Sequence, residues 1–195
     1  MTANKYRTFK EFTAHEVEGT DYRINYIDRG SKILVIAPHG GKIESYTTDI
    51  ANLIAGKDFS FYSFMGIKTR NNKILHIPSH RFDEEKALKA VEKAETVIAI
   101  HGHENKKNGF VMIGGLDKEL LARLKQDLKK IGFDIRLPAH ALGGIAPDNI
   151  CNRGRSGKGV QLEISKKLRL HLESNVALRK SFVQTIRYVL LKDIF

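Results

Sequence analysis

Apolar and polar positions follow two different periods along this chain, and the switches between them mark out its elements. Residues 33–37 (ILVIA) and 97–100 (VIAI) are short runs apolar on both faces, the pattern of strands buried on both sides of a sheet. Residues 58–65 read as a strand with aromatic weight, and 110–113 and 133–137 as further short strands. Residues 160–165 (VQLEIS) alternate, with Val160, Leu162 and Ile164 on one face and Gln161, Glu163 and Ser165 on the other. Residues 15–27, broken by Gly-Thr-Asp, read as a hairpin.

Helical spacing appears in four places. It runs through Ile50, Leu53 and Ile54 over 47–56, and through Ala87, Leu88, Val91 and Ala94 over 83–94. It returns through Leu120, Leu121, Leu124, Leu128 and Ile131 over 116–131, and through Val176, Phe182, Ile186 and Leu190 over 174–191. Residues 1–14 carry little signal, and 138–155 read as irregular. Alternating strands and helices predict a three-layer α/β/α domain with a mixed, largely parallel sheet, one catalytic-sized unit over residues 1–195.

The strand ends carry the chemistry. The run 33–37 stops at Pro38-His39-Gly40-Gly41, where proline removes a ladder donor and the glycines allow a sharp turn. His39 and Glu44 are therefore expected on a turn beyond the strand's carboxyl end, where open α/β sheets bind ligands. The run 97–100 leads directly into His101-Gly102-His103. Glu163 interrupts an apolar strand, a costly position unless the acid is paired, coordinating or functional.

Two histidines and a carboxylate are the ligand set of a hydrolytic zinc ion that leaves its fourth position to water. Taken singly, His39, His101 and Glu163 would each more often be structural. Three strand ends with the same chemistry are more than packing requires. His101 directly follows its strand, which favours it over His103 as a ligand. His15, His76, His80 and His171 read as surface or loop residues, and His140, ahead of Gly143-Gly144, could line a cleft.

The loop 149–158 (NICNRGRSGK) offers the planar forks of Arg153 and Arg155 to carboxylates, with Lys158 as a point charge. It does not match a phosphate-binding loop, and it precedes a strand rather than a helix. The single Cys151 excludes an intramolecular disulfide and a multi-thiolate zinc site, and reads as a buried small residue. Net charge is +11, from 33 Lys+Arg against 22 Asp+Glu, which favours a polyanionic partner or simply a solvated basic surface. No apolar run is long enough to span a membrane and no signal peptide is recognisable, so cytoplasmic synthesis is expected.

PHGGKIE, the strand leading into IHGH, and NICNRGRSGKGVQLEIS together resemble the phage and bacillar poly-γ-glutamate hydrolases, a family often labelled phage-related replication proteins. The resemblance covers roughly residues 33–169. It implies a fold similar to zinc carboxypeptidases and a Zn2+-dependent hydrolase cutting the γ-amide bonds of poly-γ-glutamate, the acidic capsule polymer of bacilli. Carried over by residue, it makes His39, Glu44 and His101 the zinc ligands, with His103 as the alternative third. Glu163 becomes the general base and then proton donor, and Asn152-Arg153 the pair that holds a substrate carboxylate. Arg153, Arg155 and Lys158 then grip carboxylates beside the scissile bond, with Arg169 a further candidate.

The chain departs from carboxypeptidases in two ways: His39 to Glu44 is longer than His-x-x-Glu, and Asn-Arg follows the third ligand. A monomer with no membrane or nucleic-acid partner is expected, and the lack of a recognisable signal peptide is compatible with a phage enzyme released at host lysis to strip capsule. Two rivals stay open. One is a zinc amidohydrolase of small N-acyl amino acids, and the other a basic nucleic-acid-binding phage protein, for which no finger, helix-turn-helix or RNA platform is recognisable.

Overall fold

The computed structural model describes residues 5–139 and 142–192. Seven strands, β1 (Tyr22–Ile27), β2 (Ile33–Gly41), β3 (Ser60–Gly66), β4 (Thr96–His103), β5 (Val111–Gly115), β6 (Ile135–Arg136) and β7 (Val160–Ser165), form one sheet. Their spatial order is β1-β3-β2-β4-β7-β5-β6. The central four, β3-β2-β4-β7, are mutually parallel. β1 pairs antiparallel with β3, β5 antiparallel with β7, and β6 parallel with β5. The sheet is thus mixed and mostly parallel, as the alternation of elements predicted.

Helices cover both faces because the central strands are apolar on both. On one face Ile33, Val35, Ala37, Ile98, Ile100, Leu162 and Ile164 pack against α2 (Thr47–Ala55), α4 (Lys118–Lys130), α5 (Lys166–Ser174) and α6 (Val176–Leu191). On the other, Leu34, Ile36, Val97 and Ala99 meet α1 (Phe9–Thr13), α3 (Glu85–Lys93) and the short helical turn Ile150–Asn152. The register sets His101 on this second face, in line with Val97 and Ala99, and directly opposite Glu163 of β7.

Several expectations are corrected. The 15–27 hairpin does not form: β1 pairs with β3, and only an isolated bridge links Glu18 to Tyr22. Proline does not end β2. The strand continues to Gly41, and its register with β3 shifts between Ala37 and Gly40, so that Pro38 and His39 occupy a bulge. Such a bulge tolerates a residue without an N–H and re-aims a side chain, here His39.

α1 was hidden in a segment with little pattern. It packs because Phe9 and Phe12 join Tyr22, Phe64 and Phe82 in one aromatic cluster. α5 was missed because Ser165 ends β7 and caps the helix at once, its Oγ accepting from the Leu168 N–H at 3.3 Å. Leu53 and Ile131, read as inward, are each 42% exposed, and Val176 is exposed as well.

The aromatic cluster gives the fold its sharpest test. The Phe64 ring lies 5.3 Å from those of Phe12 and Tyr22 and 5.7 Å from Phe82. Phe64→Ala is expected to cost roughly 3–5 kcal/mol in denaturant unfolding, the range for a buried ring leaving a cavity. Leu53→Ala, on the wet side of α2, is expected to cost under about 1 kcal/mol.

Candidate metal centre

Three short segments bring the ligand-type side chains together. In the β2 bulge, His39 sends its side chain toward β4. The chain then turns through 41–46, with the Glu44 N–H bonded to the His39 carbonyl at 2.9 Å and Thr47 Oγ1 bonded to the Glu44 carbonyl at 2.7 Å. Tyr46 in the left-handed region (φ 70°) closes this turn into α2. Glu44 therefore points back over the ends of β2 and β4, where its Oε2 accepts the Gly102 N–H at 2.7 Å.

His39 Nδ1, His101 Nδ1 and the Glu44 carboxylate lie within 4.8 Å of one another. The two Nδ1 atoms are 3.1 Å apart, and His39 Nδ1 is 3.3 Å from Glu44 Oε1. The Ile77 carbonyl, 2.7 Å from His39 Nε2, takes that nitrogen's proton as a hydrogen bond and leaves Nδ1 as a bare lone pair. Ser79 Oγ is 3.4 Å from His101 Nε2. Two imidazole lone pairs and a carboxylate facing one another repel unless a cation or a shared proton lies between them. This donor set fits a zinc-type ion.

The electrostatics point the same way. Burial and the neighbouring His39 hold His101 down to about 4. His39 and burial hold His76 down to about 3. Burial pushes the Glu44 carboxyl up, but the charges of His39, His101 and His76 outweigh it and bring it down to about 2. A neutral His101 beside an ionised Glu44 is the pairing of forms that binds metal.

Glu163 sits across the strand boundary from His101, about 5 Å away backbone to backbone. Burial, reinforced by the Glu44 charge and opposed by Arg169, raises its carboxyl to about 8. It is a buried acid that holds a proton readily, whereas Glu44, His76 and His101 do not.

Arg169 is not available to substrate. It is buried, and its guanidinium donates to the backbone carbonyls of Ile164 (3.1 Å), His103 (3.5 Å) and Ser45. Gly102 is required beneath it, because a Cβ there would stand 2.6 Å from the guanidinium carbon. The expectation that Asn152 holds a substrate carboxylate also fails to fit. Its Nδ2 donates to the carbonyls of Gly144 and Ala146, while Oδ1 accepts from Gly159 and Leu116, so the amide is engaged by backbone on both sides.

Arg155 pairs with Glu95 and Lys158 with Asp117, both at the amino ends of β4 and β7, the opposite end of the sheet from His101. Arg153 bonds the Phe82 carbonyl at 3.0 Å and lines a cavity of about 570 Å3 with Arg7, His80, Arg81, Asp83 and Asp148. His103 is set apart from the ligand group, its Nδ1 accepting from the Asn105 N–H and its ring against Phe110. Buried Cys151 has its thiol pushed up to about 12, which leaves it inert. His15, His80 and His171 are exposed. His140 lies outside the described residues.

The sequence reading missed His76, whose ring lies 3.9 Å from that of His39 and whose Nε2 is 3.9 Å from Glu44. It missed the orienting Ile77 carbonyl and Ser79 as well. The cluster His76-Ile77-Pro78-Ser79-His80 was the available signal, but it belongs to no periodic element.

Comparison with known proteins adds to this geometry. The poly-gamma-glutamate hydrolase family model matches residues 6–188. The UPF0714 protein YndL of Bacillus subtilis (strain 168) is 36% identical over 169 residues, 86% of this chain and 66% of YndL. The chain thus spans about two thirds of that relative's length. The structure of a bacteriophage poly-gamma-glutamate hydrolase superposes with a TM-score of 0.91 at 27% identity, covering 98% of this chain and 99% of that one. A zinc-free apo form of YndL superposes with a TM-score of 0.92 at 31% identity, covering 98% and 100%. Matched along nearly its whole length in sequence and in fold, the chain belongs to the poly-gamma-glutamate hydrolase family.

Proposed function

We propose that the chain is a zinc-dependent hydrolase that cleaves the γ-glutamyl amide bonds of poly-γ-glutamate. The observation that carries this reading is the convergence of His39, Glu44 and His101 beside Glu163 at the carboxyl ends of parallel strands, in a member of a poly-gamma-glutamate hydrolase family. The description of the YndL structure as zinc-free supports zinc as the metal. His39, Glu44 and His101 would hold it. Bound there, zinc would lower the pKa of a water and polarise the scissile carbonyl.

The chain's own groups do the rest. Glu163, ionised beside the bound metal's positive charge, would accept the proton of the attacking water and pass it to the leaving nitrogen, its buried surroundings giving it a high proton affinity for the first half of that transfer. The Ile77 carbonyl fixes the His39 tautomer, and the Gly102 N–H fixes Glu44, so the donors need no reorganisation. An acidic polymer is drawn by the net charge of +11, with Arg153 and its cavity neighbours Arg7 and Arg81 able to grip carboxylates along an extended chain. Arg155 and Lys158 contribute to the field at longer range. In this reading the biological use is depolymerisation of polyglutamate capsule.

The purified protein is expected to bind about one zinc per chain by metal analysis, and His101→Ala to abolish it. Glu163→Gln should retain the metal but lose on the order of 1,000-fold or more in kcat, read as polymer shortening on gels. Cleavage of small N-acyl glutamates in preference to the polymer would favour the amidohydrolase reading instead.

The pH dependence of stability tests the environment of these groups in metal-free protein. Glu163 is protonated to about 8 when folded, against 4.5 ordinarily, so unfolding releases a proton between those values and stability falls as pH rises from 4.5 to 8. His101 is neutral down to about 4, against 6.5 ordinarily, so unfolding takes up a proton there and stability falls as pH drops from 6.5 to 4. Glu163→Gln should remove the alkaline limb alone, raising metal-free stability at pH 8 by roughly 2–4 kcal/mol in denaturant titrations. An unchanged limb would mean that Glu163 is not held protonated.

A further inference from the structure

Sheet register places one more charged residue on the face that carries the site. His101 is paired across the strands with Glu163, Glu163 with Met112, and Met112 with Arg136. Side chains paired in this way share a face, so His101, Glu163, Met112 and Arg136 form one row from the centre of the sheet to its edge. Met112 is buried, so Arg136 is the first charge beyond Glu163 along that row.

Arg136 starts on the outermost strand, about 10 Å from Glu163 by strand spacing, but its charge does not stay there. The guanidinium carbon lies 4.3 Å from the centre of the Phe110 ring, which brings it in over the start of β5, next to the strand of Glu163. Phe110 is itself fixed, its N–H bonded to Ser165 Oγ at 2.9 Å, two residues beyond Glu163 on the same face. Asp134 accepts Nε and Nη2 of Arg136 at 2.9 and 2.7 Å, which orients the fork and leaves its remaining donors to a ligand. The side chain is still 42% exposed. A guanidinium stacked, oriented and open on one side is prepared to bind a carboxylate.

The chemistry of the bond says which carboxylate. Glu163 delivers a proton to the leaving nitrogen, so that nitrogen lies on the Glu163 side of the scissile carbonyl. In a γ-linked glutamate chain the same nitrogen is attached to the carbon bearing the free α-carboxylate. Resting on the hydrolase reading above, we propose that Arg136 is a specificity-determining residue that binds the α-carboxylate of the leaving residue. It thereby selects γ-linked polyglutamate over amides whose leaving group lacks that charge.

The test is a binding titration that does not depend on turnover. A γ-linked glutamate trimer is titrated calorimetrically into zinc-loaded Glu163→Gln protein, with and without Arg136→Gln, and the trimer with amidated α-carboxylates serves as the uncharged comparison. Losing Arg136 should weaken binding of the acidic trimer on the order of 10- to 100-fold and leave the amidated trimer nearly unaffected. Arg136→Lys should recover part of the loss.

Equal weakening of both ligands, no weakening of either, or no binding of the acidic trimer by the parent overturns the proposal. Unchanged circular dichroism and zinc content exclude misfolding of the variants. Cleavage of the trimer by unaltered protein tests the hydrolase reading separately. Arg136-dependent binding without cleavage would sink that reading and leave a carboxylate site at Arg136, whereas cleavage without Arg136 dependence would do the reverse.

Discussion

The site depends on a buried cation that takes no part in the chemistry. Arg169 reaches from α5 under the carboxyl ends of the central strands and donates to the carbonyls of Ser45, His103 and Ile164. Each carbonyl stands one or two residues from a functional side chain: Ser45 follows Glu44, His103 lies just past His101, and Ile164 follows Glu163. One planar group therefore sets the relative heights of three segments that come from distant parts of the chain. Burying a guanidinium is expensive unless its donors are satisfied, so this arrangement holds together as a whole or not at all. Gly102 belongs to the same arrangement, as the position where the guanidinium passes too close for any side chain.

The charges around the site divide into two opposed sets. His76 and His101 give up protons easily because burial and the neighbouring His39 disfavour their cationic forms. Glu163 keeps its proton because burial and the ionised Glu44 disfavour the anion. Burial among different neighbours thus pushes two identical carboxyl groups apart in acidity, Glu44 down and Glu163 up, the separation that the proposed ligand and proton-carrier roles require. In the proposed reaction the same carboxyl group would coordinate in one place and shuttle in the other, according to what surrounds it.

Much of this was legible in the sequence, for identifiable reasons. Buried parallel strands advertise themselves as unbroken apolar runs, so β2 and β4 were visible, and the polar residues that end such runs were visible by contrast. Glu163 stood out because VQLEIS puts an ionisable acid in the middle of an apolar strand, where a charge is costly unless something uses it. What stayed hidden was whatever depends on contacts between segments. His76, Ile77 and Ser79 act by lying against His39 and His101, and no periodicity reports that. Asn152 and Arg169 looked like ligand-binding groups because sequence shows their chemistry and not their partners, and in each case the partners are backbone. Pro38 looked like a stop, because a bulge is a property of two strands in register rather than of one.

The buried position of Cys151 has a practical side. The chain has one sulfhydryl, packed against the Val97–Ala99 face of the sheet and far too weak an acid to react near neutral pH. The folded surface therefore offers no native thiol, and the protein should behave alike with or without reductant. A cysteine introduced at any exposed position becomes a single address for a spin label or fluorophore, with no need to alter the native one first.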